Sequence, residues 1–237
     1  MMKRLAAALA VSILAAPATA VMLMVNTNSY PDVYDGSLSL EEAANLAASQ
    51  GRICYSAAEA AQTDVNWFLF APDCYHPILP FGDSTDDTIA FDDSVASVQI
   101  TQSNLGLRCG DAIEGLRTSP LPNVRLDFQG HIGLDLRCND LSHPDIQVRH
   151  LTLDHAGTAG IFGPGTRGLT IDGVKVSDNQ GDGVALVFWP TGPINPRRIQ
   201  VRNSVFVRNT GYGIRIEATT GGDDPADHEV TIVNNLV

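Results

Sequence analysis

His155, Asp178 and Arg208 stand 23 and 30 residues apart, and the same two intervals separate Arg149, Asp172 and Arg202. If successive turns of the chain stack, that spacing puts an imidazole, a carboxylate and a guanidinium in one outward row. Such a row could supply a base, a charged partner or cation seat, and a group that stabilises developing negative charge. His155, Asp178 and Arg208 are therefore the candidate catalytic residues. Alternating signs on neighbouring strands also hold together without performing any chemistry, and this plainer charge-ladder reading is the favoured one. Asp182, between Gly181 and Gly183, and Arg215 fall beside the row and are candidate binding residues. Trp189 joins them: it lies in the Phe188–Pro196 insertion, where its indole could stack on a ring-shaped ligand or cover a hydrophobic edge. Two acidic loops, one with Asp83, Asp86 and Asp87 and one with Asp223, Asp224 and Asp227, offer oxygens to calcium but lack EF-hand spacing. No other cofactor is expected.

The elements that must position these residues are legible as a repeat. Ile146-Gln-Val-Arg, Leu169-Thr-Ile-Asp, Ile199-Gln-Val-Arg and Val230-Thr-Ile-Val open successive units, and in the first three a glycine follows 14 residues later: Gly160, Gly183 and Gly213. Constant internal offsets with variable unit length mean stacked coils whose loops differ. Five columns are apolar in this register. They are Ile146, Leu169, Ile199 and Val230; Val148, Ile171, Val201 and Ile232; Leu153, Val176 and Phe206; Ile161, Val184 and Ile214; and Leu186 and Ile216. Polar residues alternate with them, the signature of strands buried on one side. Leu151 and Val174 would make a sixth column, which Ser204 breaks. The three glycines are expected to provide positive φ at a sharp bend, and Asn179 and Asn209 to bond side chain to backbone between coils. The fold class is an all-β solenoid, a right-handed parallel β-helix with an N-terminal capping α-helix.

Composition narrows the setting. Met1–Ala20 reads as a signal peptide, with Lys3 and Arg4 before an apolar run and Ala18-Thr-Ala20 at its end. Removing those two cations takes the net charge from −12 to −14, a poor match for nucleic acid. An acidic surface also repels acidic polysaccharide unless cations or local arginines intervene. Export and an even cysteine count favour disulfides, for which Cys54, Cys74, Cys109 and Cys138 allow three connectivities. Cys109 and Cys138 end matching frames, Leu105-Gly-Leu-Arg and Leu134-Asp-Leu-Arg, so they are the expected neighbours, leaving Cys54 with Cys74. Ser39 and Glu42 form a capping box before an apolar helical face expected over residues 40–50. The expected organisation is a signal peptide over 1–20, a cap region over 21–97, and coils over 98–237. Because Leu236-Val237 stops in mid-coil, more coils or a covering partner are expected beyond it.

Asp35-Gly-Ser-Leu-Ser-Leu-Glu-Glu-Ala-Ala44 resembles the N-terminal CSLREA-type motif of exported bacterial β-helix proteins, with Leu38 in place of its cysteine and Glu41 in place of its arginine. Asp87-Thr-Ile-Ala-Phe-Asp92 resembles the strand that follows that motif, and the repeats from Ile146 onward resemble those of the pectin-lyase-like superfamily. The resemblance implies a secreted or cell-surface location. It embraces polysaccharide lyases, hydrolases, epimerases, adhesins and others, so it does not select an activity. The expected function is a non-catalytic, adhesin-like interaction module, with extracellular polysaccharide or another cell-surface component as partner. The alternative is a polysaccharide lyase, glycoside hydrolase or uronate epimerase.

Overall fold

The computed structural model describes residues 22–27, 37–47, 57–61, 67–71, 74–77, 87–101, 105–115, 123–138, 145–166, 168–188, 197–218 and 228–237. The expected signal peptide, Cys54, Trp189, Asp83, Asp86 and the Asp223–Asp227 loop lie outside them. Of Cys74 only its place in a strand is described.

Period-2 alternation becomes short parallel strands, three to a rung. Strand β1 (Met22–Val25), helices α1 (Leu40–Ala47) and α2 (Ala57–Ala60), and an antiparallel hairpin of β2 (Trp67–Ala71) and β3 (Cys74–Pro77) come first. Then follow β4 (Thr88–Phe91), β5 (Ser97–Gln99) and β6 (Gly106–Arg108); β7 (Ala112–Glu114), β8 (Val124–Asp127) and β9 (Leu134–Arg137); and β10 (Ile146–Arg149), β11 (Leu151–Asp154) and β12 (Ile161–Pro164). The last rungs are β13 (Gly168–Asp172), β14 (Lys175–Ser177) and β15 (Val184–Phe188); β16 (Arg197–Arg202), β17 (Val205–Val207) and β18 (Ile214–Ala218); and β19 (His228–Val233). Like strands stack in three parallel sheets. Sheet I runs β1-β4-β7-β10-β13-β16-β19, sheet II runs β5-β8-β11-β14-β17, and sheet III runs β6-β9-β12-β15-β18. Sheet I thus takes in two strands upstream of residue 98. The architecture is a parallel β-solenoid.

The apolar columns fall in the expected register. Ile146 pairs with Leu169, Leu169 with Ile199 and Ile199 with Val230, while Leu153, Val176 and Phe206 stack in sheet II and Ile161, Val184 and Ile214 in sheet III. Val148, Ile171 and Val201 are each fully buried. A buried side chain of this size contributes about 1.5–3 kcal/mol, and the columns join all three sheets in one continuous core. On the last strand the same columns are uncovered, with Val230 43% and Ile232 47% exposed.

Two other columns are turns. His150, Gly173, Asn203 and Asn234 link sheet I to sheet II, and every one has positive φ, between 51° and 64°. His155, Asp178 and Arg208 follow sheet II, at φ 57°, 60° and 55°. One left-handed residue at each corner redirects the strand into its next face, a conformation that Asn, Asp and His tolerate better than most residues.

Gly160, Gly183 and Gly213 do not have the positive φ expected of them. Their reason is close approach. A Cβ on Gly160 would stand 2.5 Å from Val176 Cγ1 and 2.8 Å from Asn179 Nδ2, and one on Gly183 would stand 2.5 Å from the Gly213 carbonyl oxygen. Asn179 and Asn209 fill the corner beside these glycines. Asn179 Oδ1 accepts from the Ala156 backbone at 2.8 Å, Asn209 Oδ1 accepts from Asn179 Nδ2 at 2.8 Å, and Asn209 Nδ2 donates to the Val176 carbonyl at 3.1 Å. Ser204 keeps its place among apolar neighbours by a similar device. Its hydroxyl accepts from Val174 N at 3.1 Å and donates to the Arg202 carbonyl at 2.8 Å, so the buried oxygen is satisfied.

Cys109 and Cys138 are disulfide-bonded across adjacent rungs, with Cα atoms 4.6 Å apart and Arg108 paired to Arg137 beside them. At the first rung the capping box forms: Glu42 Oε2 accepts from Ser39 N at 2.7 Å and Ser39 Oγ from Glu42 N at 3.2 Å. Helix α1 buries Leu40, Ala43, Ala44, Leu46 and Ala47 and contacts β1, β4 and β6. Among the described residues no helix is long and apolar enough to cross a membrane.

Candidate functional site

The outward positions of the rungs bear the charged rows, because the inward ones are taken by the core. Arg149, Asp172 and Arg202 are direct neighbours on sheet I. Arg202 Nε donates to Asp172 Oδ2 at 3.0 Å. Among the described residues, the Arg149 guanidinium has no hydrogen-bond or ion-pair partner. The adjacent outward column is Gln147, Thr170 and Gln200. With Asp145 and Arg198, the second column together with Arg149 and Arg202 lines an open polar groove of about 440 Å³ across β10, β13 and β16. Burial pushes the Asp145 carboxyl above the ordinary carboxylate value, and the Arg198 charge opposes that push.

The second row divides. Asp178 and Arg208 form a two-point ion pair, Arg208 Nε to Asp178 Oδ1 at 2.6 Å and Nη2 to Oδ2 at 2.6 Å. The Arg208 hydrogen bond holds the Asp178 carboxyl below its usual value. A carboxylate so held is a weaker base, and its guanidinium partner is already committed. His155 turns instead to Asp127, with Nδ1 3.0 Å from Oδ1. The structure thus brings two of the three candidate catalytic residues together and gives the third a different partner.

Asp182 and Arg215, the candidate binding pair, also meet. Asp182 Oδ2 accepts from Arg215 Nε at 2.6 Å while its Oδ1 accepts from Tyr212 N at 2.8 Å, and Arg215 Nη1 reaches Glu217 at 2.9 Å. Asp182 is buried with both oxygens engaged, so it clamps the Gly211–Tyr212 turn of the next rung rather than facing a ligand.

His155 leads to a denser group. Asp127 ends β8 and pairs directly with Asp154 at the end of β11. Two carboxylates on adjacent strands repel, and Arg125, two residues before Asp127, relieves them. Its Nε donates to Asp154 Oδ2 at 2.7 Å and its Nη2 to Asp127 Oδ2 at 3.3 Å. Burial raises the Asp154 carboxyl above its ordinary value, against the pull of Arg125. Arg125 and Asp127 are the residues that the repeat reading missed, because no opening signature marks their rung. The signal was present all the same: Val124-Arg-Leu-Asp127 has the frame of Leu151-Thr-Leu-Asp154.

No family model, curated protein or solved structure matches this chain. Its chemistry rests on the geometry just described.

Proposed function

We propose that the chain is a secreted or cell-surface right-handed parallel β-helix of the pectin-lyase-like kind, with a CSLREA-like start and α1 covering its first rung. Its function is to bind extracellular polysaccharide, or another carbohydrate-bearing surface component, without cleaving it. Nucleic acid is not its partner. The observation that carries this reading is the groove on sheet I. Three rungs present amides, a hydroxyl and guanidiniums along one line, and Arg149, unpaired among the described residues, can engage a ligand carboxylate or hydroxyl. Arginines gathered there offset the repulsion that a chain of net charge −12 would otherwise offer an acidic glycan. The alternative, a lyase, hydrolase or epimerase using His155, Asp178 and Arg208, is disfavoured by the closed Asp178–Arg208 pair, which leaves neither group poised for a substrate.

The test is affinity electrophoresis of the full chain through gels containing uronic-acid or neutral polysaccharides, alongside an assay for new unsaturated or reducing ends. Expected are retardation by at least one polysaccharide, its loss in Arg149→Ala, and no new chain ends. Release of ends that disappears in Asp178→Ala would overturn the non-catalytic reading. Retardation unchanged in Arg149→Ala would move the binding face away from sheet I.

A further inference from the structure

At the corner after sheet II, Asp127, Asp154 and His155 from two adjacent rungs converge, each offering one donor atom within 4.8 Å of the others. We propose that they form a binding site for a divalent transition ion of the zinc type, held by two carboxylate oxygens and one imidazole nitrogen with an open position toward solvent.

The distances suit such an ion. Two ligands each ~2.0–2.1 Å from a tetrahedral zinc stand about 3.3–3.4 Å apart. His155 Nδ1 lies 3.0 Å from Asp127 Oδ1 and 3.9 Å from Asp154 Oδ1, on either side of that value. Moderate side-chain rotation brings both to it without moving the strands.

Two further observations point to a ligand rather than to a self-contained ion cluster. Among the described residues Asp154 Oδ1 has no hydrogen-bond donor, although its side chain is only 8% exposed. A buried carboxylate oxygen without a partner is costly, and it is the atom aimed into the gap beside His155. The His155 Nδ1 atom, for its part, faces a donor and an acceptor at once, Arg125 Nη2 at 3.3 Å and Asp127 Oδ1 at 3.0 Å. One ring nitrogen either carries a proton or a lone pair, so one of those contacts is always wrong. A cation there gives Asp154 Oδ1 a partner and fixes Nδ1 as a lone-pair donor, leaving Arg125 Nη2 to its other contact, Asp127 Oδ2 at 3.3 Å.

Arg125 does not fill this role. It bonds the Oδ2 atom of each aspartate, and its Nη2 also stands 3.3 Å from His155 Nδ1. That leaves the Oδ1 atoms turned toward His155 and makes Arg125 an outer partner that fixes ligand orientation. Nitrogen plus carboxylate ligation favours zinc and its neighbours over calcium, which takes six to eight oxygens. His155 is about half exposed, so the ion has a route in from solvent.

The experiment is calorimetric titration of the full chain with zinc chloride, repeated with cobalt(II) while recording visible absorbance. Wild type should bind one ion per chain at micromolar concentration and give the intense visible bands of tetrahedral cobalt. His155→Asn keeps a residue type suited to the left-handed backbone and removes the imidazole; it should weaken binding at least tenfold, as should Asp127→Asn. Glu217→Gln, outside the cluster, should bind as wild type does. No saturable binding up to about 1 mM zinc would overturn the proposal, as would equal affinity in wild type and His155→Asn.

Discussion

Replacing Gly183 by alanine separates two reasons for a glycine at a solenoid corner. Its backbone φ is not left-handed, so alanine fits the local conformation. If nothing else mattered, the substitution would stabilise the chain by about 0.4–1 kcal/mol, because alanine restricts the unfolded state. The new methyl would lie 2.5 Å from the Gly213 carbonyl oxygen and 3.0 Å from both Asn209 Nδ2 and Phe206 Cδ1. That carbonyl already accepts from Val184 N at 3.0 Å, and the neighbouring Gly183 N donates to Tyr212 O at 2.8 Å. Relief requires β15 and β18 to part by several tenths of an ångström at the point where their ladder begins. Overpacking of this kind costs about 1–3 kcal/mol, so the net expectation is a loss of roughly 1–2 kcal/mol. For a chain of this size each kcal/mol lowers the melting temperature by roughly 2–4 °C. Urea unfolding followed by far-UV circular dichroism reads the change, and Gly183→Asn distinguishes the causes. Asparagine relieves a left-handed backbone but enlarges a steric conflict, so it should be worse than alanine at Gly183. At Gly130, where φ is 84° and no atom lies within 4 Å of an added Cβ, the order should reverse. A Gly183→Ala chain as stable as wild type would refute close approach as the reason for the glycine.

Other substitutions probe different joints. Asn179→Ala removes the acceptor of the Ala156 backbone and the donor to Asn209 Oδ1 inside a buried corner; a loss of about 2–4 kcal/mol in urea unfolding is expected, at roughly 1–2 kcal/mol for each broken buried bond. Replacing Cys109 and Cys138 together by serine frees a 29-residue separation and should cost about 3–4 kcal/mol, read from the urea midpoint under non-reducing conditions. The Asp178–Arg208 pair predicts a pH effect whose sign follows from the lowered Asp178 carboxyl. Its contribution is complete above the ordinary carboxylate value of about 3.9 and is lost as pH falls through the lower folded-state value. The melting-temperature gap between wild type and Asp178→Asn should accordingly be largest near neutrality and shrink as the solution is acidified below the ordinary carboxylate value.

The sequence was most legible where physics repeats. Ile146, Leu169, Ile199 and Val230 fall in one column because a buried rung position accepts only apolar side chains, and each rung imposes the same demand on the next. Asn179 and Asn209 were legible for a related reason, since a ladder of amides needs the same residue at the same offset. The glycines were located correctly and explained wrongly. A column of glycines looks the same whether it serves backbone torsion or the proximity of another coil, and only the neighbour's position tells them apart. The Arg125–Asp127–Asp154–His155 group was hidden for a different reason. Asp154 and His155 are consecutive, but Asp127 and Arg125 enter from a rung whose following corner holds both Gln129 and Gly130 at positive φ. The repeat offset therefore slips after β8, and Phe128 rather than Gln129 falls opposite His155 when residues are counted from the paired strands. Arg125, Asp127 and Asp154 lie before that slip, in the register of β8 and β11, and His155 stands at the corner where it begins.

That slip connects the backbone to the chemistry. In the corner column between sheets I and II, His150 is followed by Gly173, Asn203 and Asn234, the residue types that left-handed backbone favours most. Beyond Gly130 on the β8 rung, the corner after sheet II holds His155, Asp178 and Arg208, all at φ of 55–60°. Glycine or asparagine would relax the backbone there by roughly 1 kcal/mol at each position, so the local fold alone does not account for these side chains. For Asp178 and Arg208 the ion pair between rungs offers compensation at an exposed edge. His155 has no such closed partner, since its ring nitrogen is contested by Arg125 and Asp127. His155 is thus the left-handed corner residue that, with Asp127 and Asp154, presents converging donors to a cation.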